Sequence, residues 1–197
     1  MNAEGLPEPA ARELLHQRKV HLCGYRRDDG LWDIEAAMTD QRSYESRSAE
    51  KGRIPAGDPV HHICVRLTVD DNLTVKSVAA AMKEVPYHTC PGALGSLATL
   101  EGATLSRGWR RRIEEGLGGT QGCTHVRDLL LQAATVAFQT IPVAHAQVHG
   151  DILPAVDGQP PPHLGTCRTW ALDGPVVARL YPEFAVLPPS KPSPGFD

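Results

Sequence analysis

The sequence has no apolar run near the roughly 20 residues that a membrane-spanning helix requires. Its first residues lack the basic-then-apolar pattern of a secretory signal. No glycine-rich phosphate loop, G-x-S-x-G elbow or H-E-x-x-H helix occurs anywhere, which sets aside the common nucleotide-dependent and hydrolase classes. Basic residues are not in excess: 20 Lys and Arg stand against 23 Asp and Glu, for a net charge of -3. A nucleic-acid binder needs a strongly basic face, so that class is excluded too. The single basic cluster, Arg107 with Arg110, Arg111 and Arg112, runs straight into Glu114 and Glu115 and reads as a solvated helix face with local ion pairs. The expectation is a cytoplasmic protein with neither a membrane nor a nucleic-acid partner.

What is present is an ordinary globular composition. Hydrophobic residues make up 41% of 197, enough for one domain with a real core. Five cysteines (Cys23, Cys64, Cys90, Cys123 and Cys167) are odd in number and irregular in spacing. In a reducing compartment they are free thiols, ligands or reactive groups rather than a disulfide framework.

Residues 1–17 carry little pattern and are expected to be a flexible segment. Val20 to Tyr25 alternates loosely, Asp29-Gly30 makes a turn, and Leu31 to Ala36 resumes the alternation, which together predict a β-hairpin. Tyr44 to Pro59 reads as a long loop or arm. Val60 to Val69 places His61, Ile63, Val65, Leu67 and Val69 on one face and His62, Cys64, Arg66 and Thr68 on the other. After a turn at Asp70-Asp71-Asn72, Leu73 to Met82 completes a second hairpin. Pro86 ends the sheet and Cys90-Pro91-Gly92 is expected to open a helix. Trp109, Ile113 and Leu117 mark another. The longest helix starts at Gly122-Cys123-Thr124 and is expected to end near Thr140, just before Pro142. Cys167 to Trp170 and Val176 to Tyr181 read as ordered edge elements, and 183–197 as a Pro-rich tail. The expected fold is a single α+β domain over 18–182: an antiparallel sheet of two hairpins with a helical layer on one face.

Chemistry concentrates on the cysteines and histidines. Cys90 and Cys123 each stand at a predicted helix start, where backbone N–H groups and the helix dipole favour a thiolate. His125 follows Cys123 by two residues, and His61 joins them if the helices pack on its face of the sheet. Cys167 is a further candidate ligand. The candidate metal set is therefore His61, Cys90, Cys123, His125 and Cys167, holding zinc or iron. Without a metal, Cys123 is the nucleophile and His125 or His61 its base. Arg26 and Arg27 are candidates for holding the anionic group of a small organic or aromatic substrate; the alternative there is a charged hairpin tip anchored by Trp32. Cys23 and Cys64 are assigned to the core, where free cysteine behaves as a small hydrophobe.

The blocks Gly24-Tyr25-Arg26-Arg27-Asp28-Asp29-Gly30-Leu31-Trp32-Asp33, Pro59-Val60-His61, Pro86-Tyr87-His88-Thr89-Cys90, Gly108-Trp109 and Gly122-Cys123-Thr124-His125 resemble the signature blocks of a bacterial family known as domain of unknown function 2889. The order of elements, with cysteines ahead of the first and last helices, is also similar to the NifU/IscU-type iron–sulfur scaffold. That likeness places Cys90 and Cys123 on two of the scaffold's cysteines. Its earliest cysteine has no counterpart here, the place being taken by Asp58-Pro59 or His61, which leaves a mononuclear site completed by His61, His125 or Cys167.

The leading expectation is a metal- or thiol-dependent enzyme of lyase or hydrolase type. The alternatives are a sulfur, metal or iron–sulfur carrier, which needs Cys90 and Cys123 on an open rim, and a structural or regulatory subunit. The alanines of the long helix leave a homodimer open.

Overall fold

The structure is a computed structural model that describes residues 5–106, 108–149, 158–161 and 163–186. The expected tail from residue 187 onward, Arg107 of the basic cluster and the residues 150–157 lie outside the described residues. The chain divides into two compact units, 1–140 and 141–197.

The fold is α+β. In the first unit an antiparallel four-stranded meander has the order β1(His16–Arg26), β2(Trp32–Arg42), β5(Pro59–Val69) and β6(Val75–Glu84). A small hairpin, β3(Ser46–Ser48) and β4(Gly52–Ile54), forms inside the segment read as an arm. Ser48 donates to the Pro86 carbonyl at 2.6 Å and Lys51 pairs with Glu84, so this hairpin is tied to the end of β6. β1 starts at His16, and β6 runs two residues later than the sequence pattern indicates, from Val75 to Glu84.

The inner face follows the two-residue strand period. On β2 it carries Trp32, Ile34, Ala36 and Met38, and on β5 Ile63, Val65, Leu67 and Val69, all buried. Against it lies the helical layer: α1(Trp109–Leu117), burying Trp109, Ile113 and Leu117, and α2(Thr124–His149), burying Val126, Leu129, Leu130, Ala133 and Ala137. Each such large apolar side chain contributes about 1.5–3 kcal/mol on leaving water. The Trp109 indole N–H reaches the Leu130 carbonyl at 3.2 Å, so burying the ring leaves no donor unpaired. Gly24 marks a close approach of α2 to β1, because a Cβ there would stand 2.3 Å from the Thr140 hydroxyl.

Two helix expectations are corrected. Cys90 opens only a 3-10 turn, Cys90–Leu94, followed by another at Leu97–Leu100. Gly92 and Gly95 weaken helix propagation there and the segment settles for i→i+3 bonding. The longest helix does not stop near Thr140 but runs to His149 with Pro142 inside it. Proline removes one N–H from the ladder, a cost that the continuing helix absorbs.

In the second unit Cys167 to Trp170 lies in turns and bends, and Val176 to Leu180 belongs to the helix α3(Pro175–Leu180). Proline at the first position with glycine ahead of it is a favoured helix start. Leu164, Val177 and Tyr181 form a small core with Trp170, Phe184 and Ala185 packed on it.

Candidate functional site

At the end of the sheet where β1 begins, the inner face turns from apolar to polar. Across the three strands the register aligns Arg18 with Asp40 and Asp40 with His61. Side chains of paired residues share a face, so three polar groups stand side by side where the core pattern stops. The register shifts just past Asp40, between Asp40 and Gln41, a β-bulge of the kind that re-aims side chains at sites.

Asp40 is 2% exposed and is the hub. Arg18 grips it with a two-pronged fork, Nε to Oδ1 and Nη2 to Oδ2, each at 2.8 Å. His16 Nε2 stands 3.1 Å from Oδ1. His61 Nδ1 is 3.3 Å from Oδ2, and His125 Nε2 faces the same oxygen from 3.8 Å. The two imidazoles lie with ring centroids 4.3 Å apart, tilted by 51°. Burial alone would raise the Asp40 carboxyl, but the Arg18 fork, with help from His16, holds it below the usual carboxylate range. Arg18 is raised in turn by the same bond. His61 is lowered, first by burial and then by the neighbouring His125, so it is a neutral imidazole near pH 7.

His125 arrives from the first turn of α2, and Cys123 immediately precedes that helix. The chain enters it through Gly122, where a Cβ would stand 2.4 Å from the Leu117 carbonyl. The Cys123 Sγ lies 3.7 Å from His125 Nδ1. One imidazole thus has the thiol at its Nδ1 and the Asp40 carboxylate at its Nε2. Burial pushes the Cys123 thiol up, but the His125 imidazole and the amides of Val126 and His125 outweigh it and bring the thiol below its ordinary range.

Of the residues singled out in the sequence, His61, Cys123 and His125 are brought together. Cys90 is half-buried in its 3-10 turn, its N–H donating to the Tyr87 carbonyl at 3.2 Å. Among the described residues, the group of three or more acid, histidine or cysteine donors close enough to share an ion is Asp40, His61 and His125, and it includes none of Cys90, Cys123 and Cys167. Cys167 is exposed in the second unit. Arg26 pairs with Trp32 at the far end of β1, eight residues and about 26 Å of strand from Arg18. Arg27 is held by Asp29 at 2.6 Å and Asp33 at 3.3 Å, forming a charged tip anchored by the buried Trp32.

Asp40, Arg18 and His16 are the site residues that the sequence reading did not reach. The signal is there: extending the period of Trp32, Ile34 and Ala36 by two steps lands on Met38 and then Asp40, an acid at the end of an apolar face.

The family described as Protein of unknown function (DUF2889) matches residues 16–139, and the chain belongs to it. The matched segment contains the whole sheet, α1, Asp40, His61, Cys123 and His125. No curated protein and no solved structure matches the chain, and the similarity to the iron–sulfur scaffold is not shown.

Proposed function

We propose that this member of the family is a thiol-dependent enzyme, with Cys123 as nucleophile and His125 as its base. One observation carries the reading: a single imidazole stands between a thiol, 3.7 Å from Nδ1, and a buried carboxylate, 3.8 Å from Nε2. Nucleophile, base and orienting group in that order are the parts of covalent catalysis, whatever fold presents them.

In this arrangement the His125 tautomer that serves has its proton on Nε2, toward Asp40, and its lone pair on Nδ1, toward the thiol. Nδ1 takes the S–H proton as sulfur attacks an electrophilic carbonyl carbon. The resulting imidazolium faces Asp40 and returns the proton to the leaving group. Water then cleaves the acyl–sulfur bond, as in a hydrolase. A small organic or aromatic acyl compound suits a site at a sheet end. Asp40 itself is kept ionised by Arg18, so it orients His125 rather than competing for its proton. The five cysteines form no disulfide, which supports a reducing, cytoplasmic setting.

The test uses chelator-treated protein and a panel of small activated esters and thioesters. Intact-mass analysis should find one acyl adduct, on Cys123, that is absent from Cys123→Ser and accumulates far more slowly in His125→Ala. Acylation spread evenly over the five cysteines, or unaffected by His125→Ala, overturns the reading.

A further inference from the structure

We infer that Asp40, His61 and His125 form a binding site for one divalent transition-metal ion, and that the ion and the base function of His125 exclude each other. The first half stands on geometry alone; the second rests on the thiol reading above.

His61 Nδ1 and His125 Nε2 come from different elements, a strand and a helix, yet aim at the same carboxylate oxygen. Their distances to Asp40 Oδ2, 3.3 and 3.8 Å, are longer than the roughly 2.7–3.2 Å of a good N–H···O bond. They do match an ion held between them: donors about 2.1 Å from a common centre at near-tetrahedral angles stand roughly 3.4 Å apart. All three donor atoms lie within 4.8 Å of one another. Two imidazoles and one carboxylate suit zinc and its first-row neighbours, with at least one coordination position left for water or a ligand.

The surroundings are those of a supported site. Arg18 fixes the carboxylate plane, bonding each oxygen once at 2.8 Å; His16 takes a second position on Oδ1, and Oδ2, which both imidazoles face, keeps a further lone pair. The register shift directly after Asp40 adjoins the Asp40–His61 pair, and bulges are often found beside sites. His61 is not needed by the Cys123–His125–Asp40 relay, and an ion gives it a role.

The exclusion follows from the two nitrogens of one ring. As a ligand through Nε2, a neutral His125 carries its proton on Nδ1, the nitrogen facing the Cys123 sulfur. Nδ1 is then a donor to sulfur and no longer takes a proton from it. Metal occupancy therefore switches the thiol chemistry off, and chelation restores it.

The experiment titrates metal-free, full-length protein with Co²⁺ and with Zn²⁺, reading heat and the visible absorption of bound cobalt. One equivalent should bind. His61→Ala and its milder partner His61→Gln, each checked for native circular dichroism, should weaken binding by about 100-fold. Cys123→Ser should bind like the unmutated protein. Zinc should slow alkylation of Cys123 by about tenfold or more in the unmutated protein and leave the rate unchanged in His61→Gln. Full-affinity binding by both His61 variants, or no binding by the unmutated protein, overturns the site. Loss of cobalt binding in Cys123→Ser, with strong sulfur-to-cobalt absorption in the unmutated protein, moves the ion to the thiol and overturns this donor set. An unreactive Cys123 in metal-free protein sinks the thiol reading and leaves the binding result standing.

Discussion

Of the cysteine–histidine pairs spaced two residues apart in the first unit, two bring thiol and imidazole into contact, and their settings differ. Cys23 and His21 alternate on β1 and meet on the outer face of the sheet, Sγ to Nε2 at 3.1 Å. They line a shallow 340 Å³ groove with Ala37, Cys64 and Ala79. Cys123 and His125 sit at the start of α2, half-buried, at 3.7 Å. The outer pair is the closer one. Yet no ion pair ties His21 to an acid among the described residues, whereas His125 faces a buried carboxylate that is clamped by an arginine. Proximity of a thiol and an imidazole is thus common and cheap. A third group that fixes the ring, and a setting that keeps water away from it, separate a candidate reactive pair from an incidental one.

That contrast is open to attack from several sides. The largest effect is expected from Asp40→Ala, which deprives Arg18, His16, His61 and His125 of their shared carboxylate. Because Arg18 is partly exposed, the loss is about 2 kcal/mol, read as a fall in chemical-denaturation stability. Glu35→Ala, which frees Arg66 on the exposed outer face, should cost less than about 1 kcal/mol. Because Asp40 titrates below the usual carboxylate range, its stabilisation is complete above about pH 4 and is lost as the pH falls through the lowered value. The gap between the unmutated protein and Asp40→Ala should therefore close in strong acid. An equal gap at pH 7 and pH 2 would mean that the charge is irrelevant.

Next in size is His125→Ala, expected to slow alkylation of Cys123 at pH 7 by about 100-fold in chelator-treated protein. Mass-resolved labelling of each cysteine measures it, with Cys64 as the internal reference. A smaller effect is expected in the pH profile. The Cys123 thiolate fraction rises with pH through a value below the ordinary thiol range, so its labelling rate should level off before that of a free thiol near pH 8.5. A profile that superimposes on glutathione would remove the distinction. The smallest change is expected from His21→Ala, with Cys23 labelling altered by about twofold or less, since no carboxylate backs the ring. A drop as large as that for His125→Ala would make the two pairs equivalent and undo the comparison.

Much of this fold is legible in the sequence, for reasons that can be named. Alternation at His61, Ile63, Val65, Leu67 and Val69 places His61 on the apolar face, and the same period places Cys64 on the other, where it is half-buried rather than part of the core. The Asp29-Gly30 turn and the helical spacing of Val126, Leu129, Leu130 and Ala133 were equally plain. What was hidden is the company that these residues keep. Asp40 lies more than twenty positions from both Arg18 and His61, and only the strand register brings them together. Cys90, read like Cys123 as standing at a helix start, carries no mark in the sequence to show that only Cys123 lies beside His125. The length of α2 was misjudged because Pro142 reads as a stop, whereas a helix already well packed tolerates one missing bond.

The close fit of Gly24 against Thr140 has a consequence for the other end of the same helix. Gly24 stands six residues along β1 from Arg18, about 20 Å, and Thr140 stands fifteen residues along α2 from His125, about 22 Å. The helix therefore lies alongside the strand like a ruler clamped at two marks, with the His125 ring at one clamp and a missing methyl group at the other. Tilting the ruler at Gly24 swings the ring away from the carboxylate. A Gly24→Val protein should keep every residue of the site and lose its alignment, which ties this notch to the placing of His125 at a distance of four helical turns.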